Sequence, residues 1–328
     1  MSSGSETPLV SVIVTFYNLG SLVAETLDCV LAQTYPAVEI VVVDDGSTDD
    51  TAERCRAFGG RIVFIHRKNG GSAAARNSGL ARARGSLVAH LDGDDLWEPD
   101  KLEIQVDAAR RFPEAGLIVA DCVAFSEQGF GPHPLLGPSA APLLAGPSPL
   151  VPARECHAQL VAENFVATPS QIMLPARVFR EIGPWNETLH ISADYELYLR
   201  VALRYPWVLL PNKLVRWRYS PAGVSGHSYF RGFNWVLERP QILRAHIDEL
   251  PPAQRPHVRA AMNRSIRATA RAAYHVAHKH RERRWATRYL LRLMRTGGGA
   301  RFVLPYLLAI WTPAGLLTGA RKLVRSRP

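Results

Sequence analysis

Two acidic runs, each closing an apolar stretch, constrain this chain most. Val41-Val42-Val43 leads into Asp44-Asp45-Gly46-Ser47-Thr48-Asp49, and further along Leu91 leads into Asp92-Gly93-Asp94-Asp95. A parallel strand buried on both faces reads as such an aliphatic run, and open α/β sheets bind their ligands at the carboxyl ends of these strands. Carboxylates gathered at two strand ends therefore predict a nucleotide-and-metal site.

The surrounding pattern supplies the rest of the sheet. Residues 9–15 read as a strand, Tyr17-Asn18-Leu19-Gly20 breaks it, and residues 22–33 have helical spacing. Residues 40–43 form a second strand, and a helix over 48–58 is expected with Ser47 or Thr48 as its cap. Residues 61–66 form a third strand, Gly70-Gly71-Ser72 opens a helix through Asn77, and residues 86–91 form a fourth. These β-α units predict an α/β fold with a doubly wound, mainly parallel sheet. A helix over 101–112 and a strand over 117–123 continue the pattern. Residues 130–152, rich in Pro, Gly and Ala, read as a long loop beside the site or as a linker. A strand over 170–174, a short helix over 176–181, an amphipathic helix over 193–205 and strands over 208–210 and 214–219 complete the reading.

The clustered carboxylates of Asp92, Asp94 and Asp95 repel one another unless a cation or hydrogen-bond donors intervene. A hard divalent ion, Mg²⁺ or Mn²⁺, suits them, since such ions bridge one or two carboxylates to substrate phosphates. The bland alternative is a solvated acidic turn. Asp44 and Asp45 likewise fit ordinary Asp-Gly-Ser turn chemistry. Parallel neighbours would place Thr15 and Tyr17 beside Asp45, an aromatic face with acceptors suited to a uracil or thymine ring. Arg76, just past Gly71-Ser72-Ala73, is in reach of a diphosphate aided by the amides at the helix start, or else is a surface arginine.

Val10-Ser11-Val12-Ile13-Val14-Thr15-Phe16-Tyr17-Asn18, Gln33-Thr34-Tyr35-Pro36, Val43-Asp44-Asp45-Gly46-Ser47-Thr48-Asp49, Ala75-Arg76-Asn77-x-Gly79 and Leu91-Asp92-Gly93-Asp94-Asp95 together resemble family 2 glycosyltransferases of the GT-A fold. The resemblance covers residues 8–125 and, less closely, 165–220. It implies a GT-A nucleotide-diphospho-sugar transferase fold in which Thr15, Tyr17 and Asp45 contact the base and Arg76 the base or diphosphate. Asp94 would lie at the ribose and metal region and Asp95 at the metal, with Asp92 in the same site. The segment from Gly183-Pro184-Trp185-Asn186-Glu187 to Asp194 resembles the part of the family that holds the catalytic base. Ala193-Asp194 stands where the family has Glu-Asp, leaving Asp194 as the base, with Glu196 as the fallback. The resemblance further implies an inverting, metal-dependent displacement that moves a sugar from a UDP- or dTDP-sugar to a hydroxyl of a polysaccharide, lipid-linked or other cell-surface glycan. Trp217-Arg218-Tyr219 would cover the diphosphate, and His227 could add a metal ligand.

Two other classes compete. A nucleotidyltransferase acting on a sugar phosphate shares such a sheet, but it needs a Gly-rich loop with a basic residue where this chain has Thr15-Phe16-Tyr17-Asn18. An inactive GT-A scaffold is disfavoured by the intact Asp45, Asp94, Asp95 and Asp194. The expected organisation is a catalytic domain over 1–235, with a nucleotide-binding half (1–125) and an acceptor-binding half (126–235), then a basic helical C-terminal extension over 236–328.

Charge is divided unevenly between these parts. From Arg255 onward the chain has 17 Lys and Arg against one acid, Glu282, whereas the preceding 254 residues hold 22 basic and 28 acidic residues. The basic tail points to a polyanionic surface. Residues 255–295 are helix-permissive, Gly297-Gly298-Gly299 stops them, and 302–319 are apolar but interrupted by Pro305 and Pro313. Segment 302–327 is therefore expected to lie on an anionic membrane surface rather than span it. The alternative is a packed helix pair with a solvated basic face. Nucleic acid is disfavoured because no binding motif accompanies the charge. Cys29, Cys55, Cys122 and Cys156 show no metal or redox spacing, and residues 1–8 lack a signal-peptide pattern. The expected place is the cytoplasm, peripheral on the inner membrane's cytoplasmic face.

Overall fold

The computed structural model describes residues 7–126, 129–134, 140–146, 148–218, 234–279, 283–297 and 300–311. They belong to two compact units, Met1–His227 and Ser228–Pro328.

A ten-stranded mixed sheet runs through the first unit. Strands β1 (Val10–Phe16), β2 (Val38–Asp44), β3 (Val63–His66) and β4 (Leu87–Asp92) lie parallel in the order β3-β2-β1-β4. Helices α1 (Val23–Leu31), α2 (Thr51–Arg56) and α3 (Ser72–Leu80) connect them. Chain order reverses at β1, which lies between β2 and β4, and such a switch point opens a crevice at the strands' carboxyl ends. After β5 (Leu96–Trp97) and α4 (Lys101–Arg111), β6 (Leu117–Ser126) returns to the sheet.

The direction of one strand differs from the simple parallel pattern. β9 (Ile172–Pro175) sits antiparallel between β4 and β6, so β6 and its parallel neighbour β10 (Trp207–Arg218) point the same way as β4. The ends of β1, β2, β4, β6 and β10 consequently share one edge of the sheet. Between β6 and β9 the segment expected as a long loop contains β7 (Gly129–Pro134), paired with β6, then α5 (Ala141–Leu144) and β8 (Leu150–Val151), paired with β10. A helix unforeseen from sequence follows Pro152: α6 (Ala153–Ala162) buries Cys156, Leu160 and Val161 along one face. The two strands expected over 208–219 are one, because Pro211 and its neighbours are absorbed by a register shift between Leu210 and Val215.

Alternation along β1 explains how the layers pack. Val10, Val12, Val14 and Phe16 face a core shared with Val23 and Leu27 of α1 and Leu102 of α4. The other face receives α3, whose Ala75 packs on Val41 and Val43. A Cβ on Gly79 would stand 2.4 Å from Ile13 Cγ2, so a glycine there lets α3 approach closely. α7 (Ala176–Ile182) and α8 (Ala193–Ala202) complete the unit.

The second unit is helical: α9 (Asn234–Glu249), α10 (Arg255–Lys279), α11 (Arg283–Gly297) and α12 (Ala300–Trp311). Its core includes Leu243, Val258, Ile266, Leu290, Leu293, Val303 and Ile310. The helix expected across 255–295 is two helices, with 280–282 outside the described residues. The later part of the apolar segment, 312–319, also lies outside them, as do Tyr219 and His227. Among the described residues no helix is long and apolar enough to cross a membrane.

Candidate active site

Strand register assembles the site at the shared edge. Thr15 is paired with Val43 on one side and Asp92 on the other, and the Asp45 amide donates to the Phe16 carbonyl at 2.9 Å. Asp45 thus follows directly on the pairing of Phe16 with Asp44, and Tyr17 is half exposed. Asn18, in a left-handed conformation (φ 52°), accepts the Thr48 amide and donates its own amide to Ser47 Oγ, both at 2.8 Å, joining the β1 and β2 loops.

The first acidic pair is already saturated. Asp44 accepts from the Ser47 amide at 3.1 Å and contacts His66 Nδ1 at 2.8 Å. Asp45 accepts from Arg67 Nη1 at 2.9 Å and from the amides of Gly70 and Gly71, the latter at 2.7 Å. These amides, which precede α3, were expected to help a diphosphate; they hold Asp45 instead. The same bonding delays α2: Asp49 accepts from the Thr51 amide, so the helix begins at Thr51 rather than residue 48.

The second cluster is different. A Cβ on Gly93 would stand 2.3 Å from the Phe16 ring, so glycine permits the tight turn that displays the carboxylates. Asp95 is 1% exposed; its Oδ2 accepts from Thr168 Oγ1 (2.9 Å) and Ser170 Oγ (2.6 Å), and its Oδ1 from the Arg218 amide (3.0 Å). With both oxygens engaged by the protein and the side chain buried, Asp95 ties the turn to β10 and the β9 approach, while Asp92 and Asp94 remain part-exposed. Burial, then the charge of Asp92, raises the Asp94 pKa to about 6. Burial, then Asp94 and Asp92, also raises that of Asp95 above the usual carboxylate range. Three carboxylates so close, only partly compensated by neighbouring donors, fit a hard divalent cation, with Asp94 the most open of them. Among the described residues no group of three His, Cys, Asp or Glu side chains could hold a metal alone.

Arg76 is neither a surface arginine nor extended towards open solvent. It is buried, donates to Asp92 Oδ1 at 2.6 Å, and lies 4.9 Å over the Trp185 ring. Burial opposes its charge and the Asp92 carboxylate more than offsets that, leaving its pKa raised. Asn77 next to it clamps the segment before α8: its side chain donates to the Trp185 carbonyl and accepts the Trp185 amide, both at 2.9 Å, and also donates to Glu187.

Asp194 occupies the first turn of α8, where its carboxylate accepts the Tyr195 amide at 2.7 Å. It is near enough to Arg76 and Asp92 to feel both charges. Burial is the leading cause that lifts its pKa to about 6; the Tyr195 amide and Arg76 oppose, and Asp92 adds to the rise. Arg76 Nε, Trp185 Nε1 and Tyr198 Oη are buried without a hydrogen-bond partner among the described residues, donors available to ligand oxygens or water. Glu196, the fallback base, is committed elsewhere: it grips Arg200 through two bonds of 2.7 and 2.8 Å, and Arg200 donates to the carbonyls of Ile182 and Pro184.

Thr168, Ser170, Arg67 and Arg218 were not singled out for these contacts by sequence. Thr168 and Gln171 form a capping box at a 3-10 turn, and this Thr-x-x-Gln spacing was the available signal. Arg218 also donates to the Asp94 carbonyl at 2.8 Å and to Glu25 at 2.6 Å, closing the end of β10 over the acidic turn.

Sheet order and site together define the GT-A class of fold, and solved structures share it. TarS of S. aureus (residues 1–349) aligns with TM-score 0.64 at 17% identity over 92% of this chain and 87% of that one. Its complex with UDP-GlcNAc aligns with TM-score 0.58. The mannosyltransferase PcManGT of Pyrobaculum calidifontis, in complex with GDP-Man and Mn²⁺, aligns with TM-score 0.53 at 21% identity over 93% of this chain and 86% of that one. At these identities the likeness establishes the fold. The family model for Glycosyl transferase family 2 matches residues 11–192, and the chain belongs to that family. An uncharacterized glycosyltransferase of Rickettsia felis is 31% identical over 198 residues, 59% of this chain and 31% of that protein, so this chain spans about a third of that relative. The putative teichuronic acid biosynthesis glycosyltransferase TuaG of Bacillus subtilis is 43% identical over 104 residues, 30% of this chain and 41% of TuaG.

Proposed function

We propose that this protein is an inverting glycosyltransferase that moves a sugar from a UDP- or dTDP-sugar to a hydroxyl of a glycan or lipid-linked acceptor in cell-surface polysaccharide synthesis. The observation that carries the reading is Asp194, a carboxylate with its pKa raised to about 6, held beside Arg76 and Asp92 at the edge where Asp94 is displayed. A base with a pKa just below neutrality is ionised at pH 7 yet basic enough to take a proton in the transition state. The TarS complex with UDP-GlcNAc supports a nucleotide-sugar donor, and the likeness to TuaG supports a surface polymer as product.

Tyr17 offers the base a half-exposed ring, and Thr15 and Asp45 border it. Asp194 accepts the proton of the acceptor hydroxyl as the oxygen bonds to the anomeric carbon and the bond from that carbon to the diphosphate oxygen breaks. Arg76 holds Asp92 in place, so the carboxylate beside the leaving diphosphate keeps a fixed orientation. A bound Mg²⁺ or Mn²⁺, held by Asp94 and Asp95, would supply charge neutralisation to the departing diphosphate.

A panel of nucleotide sugars incubated with the protein and Mg²⁺ or Mn²⁺ tests the reading through release of free nucleoside diphosphate. Release of UDP or dTDP from at least one donor, lost on chelation, is expected. Consumption of no donor with either metal would overturn it.

A further inference from the structure

The second unit presents an apolar ridge that its own core does not use. On α12, Val303, Tyr306, Ala309 and Ile310 face inward, whereas Leu304, Leu308 and Trp311 are 48%, 63% and 54% exposed. Their spacing of four and three residues puts them on one stripe of the helix. Trp311 Nε1 donates to Thr287 Oγ1 of α11 at 2.8 Å, which places the stripe against α11, and Leu291, one turn beyond Thr287, is 44% exposed.

Among the described residues the charged side chains bordering this ridge are cationic. Exposed Arg284, Arg288 and Arg295 lie three or four residues from Thr287 or Leu291 and so flank the same strip of α11. At the start of α12 the guanidinium groups of Arg267 and Arg301 lie 4.3 and 4.5 Å from the Phe302 ring centre. The sequences of α10, α11 and α12 contain no acidic residue.

We infer that the Leu304-Leu308-Trp311 face of α12, with its arginine border, docks in the plane of an anionic lipid surface. Charge complementarity chooses this occupant. A second copy of the chain would bring two arginine borders together, and a nucleic acid would leave the leucines unmatched. The described residues of α12 number 12, about 18 Å, against a hydrocarbon core of about 30 Å, and with its other face packed in the unit the exposed stripe is placed along the interface. Trp311 is suited to the headgroup boundary, where its ring is apolar and its N–H polar. The inference is independent of the sugar-transfer reading, since it uses none of the same residues.

Cosedimentation of the full chain with phosphatidylcholine vesicles, with and without phosphatidylglycerol, provides the test. Binding only to the phosphatidylglycerol vesicles is expected, weakened about tenfold or more by the double substitution Leu304→Ser, Leu308→Ser, with circular dichroism unchanged. Arg284→Gln with Arg288→Gln should weaken it about fivefold or more and leave folding intact even if the serine variant misfolds. The wild-type minus Trp311→Phe emission difference should shift to the blue on binding. Equal binding to neutral vesicles, no binding, or binding indifferent to the leucines of a folded variant would overturn the inference. A dimer in equilibrium sedimentation that Leu304→Ser, Leu308→Ser abolishes would also overturn it, by assigning the face to a second copy.

Discussion

The Asp44-Asp45 turn and the Asp92-Asp94-Asp95 turn are chemically alike in sequence and sit at corresponding ends of strands two places apart in the sheet, yet they end in opposite electrostatic states. Asp44 and Asp45 collect Ser47, His66, Arg67 and two backbone amides, so their charge is used to fix loops. In the second turn Asp95 is enclosed and Asp92 is paired with Arg76, while Asp94 is left part-exposed with a pKa raised by burial and by Asp92. The difference lies at Asp94, the carboxylate to which the fold brings the fewest partners, and like charges kept close with partial compensation favour a cation beside them.

Substitutions can break this contrast in order of expected effect. Asp94→Asn should reduce nucleoside diphosphate release by about a hundredfold or more. The same change relieves repulsion with Asp92, so the metal-free protein should gain about 1 kcal/mol in chemical denaturation. Asp44→Asn should behave in the reverse sense: about 2 kcal/mol less stable, because Ser47 and His66 lose the charged acceptor that the buried Asp44 gives them, with activity retained in the folded fraction. If Asp44→Asn proves the inactive variant and Asp94→Asn the unstable one, the contrast is inverted. Ser170→Ala removes the hydroxyl shared by Asp95 and the Asp92 amide, and should cost about 1 kcal/mol with a weaker apparent metal affinity in a Mn²⁺ titration. Glu196→Gln should matter least, about 0.5 kcal/mol in stability and a rate within about twofold of wild type, because Arg200 keeps its carbonyl acceptors.

Sequence carried the sheet well where period and turn chemistry agreed. The aliphatic runs before Asp44 and Asp92 could only be buried strands, and their register put Thr15 between Val43 and Asp92. It was silent on the direction of β9, because a short apolar strand reads the same either way along the sheet. The orientation of Arg76 was also hidden, since it depends on α3 pressing close at Gly79. The enclosure of Asp95 depends on Thr168, Ser170 and Arg218, which lie more than seventy residues away in sequence. Residues 130–152 misled through composition: Pro and Gly there bound short pairing segments instead of one loop.

The proposed base, Asp194, is a partly exposed carboxylate beside the charges of Arg76 and Asp92. Asp194 must be ionised to accept a proton, and its pKa is raised to about 6, so its contribution is present above that value and lost as pH falls through it. The direct measurement is the pH dependence of nucleoside diphosphate release from the accepted donor, wild type against Asp194→Asn, with donor affinity followed in parallel. The expected result is a wild-type rate that is level above about pH 6 and falls as pH drops below it, and a variant at least about a hundredfold slower at every pH above about 6, with donor affinity unchanged. A variant that keeps the wild-type rate above about pH 6 would contradict it.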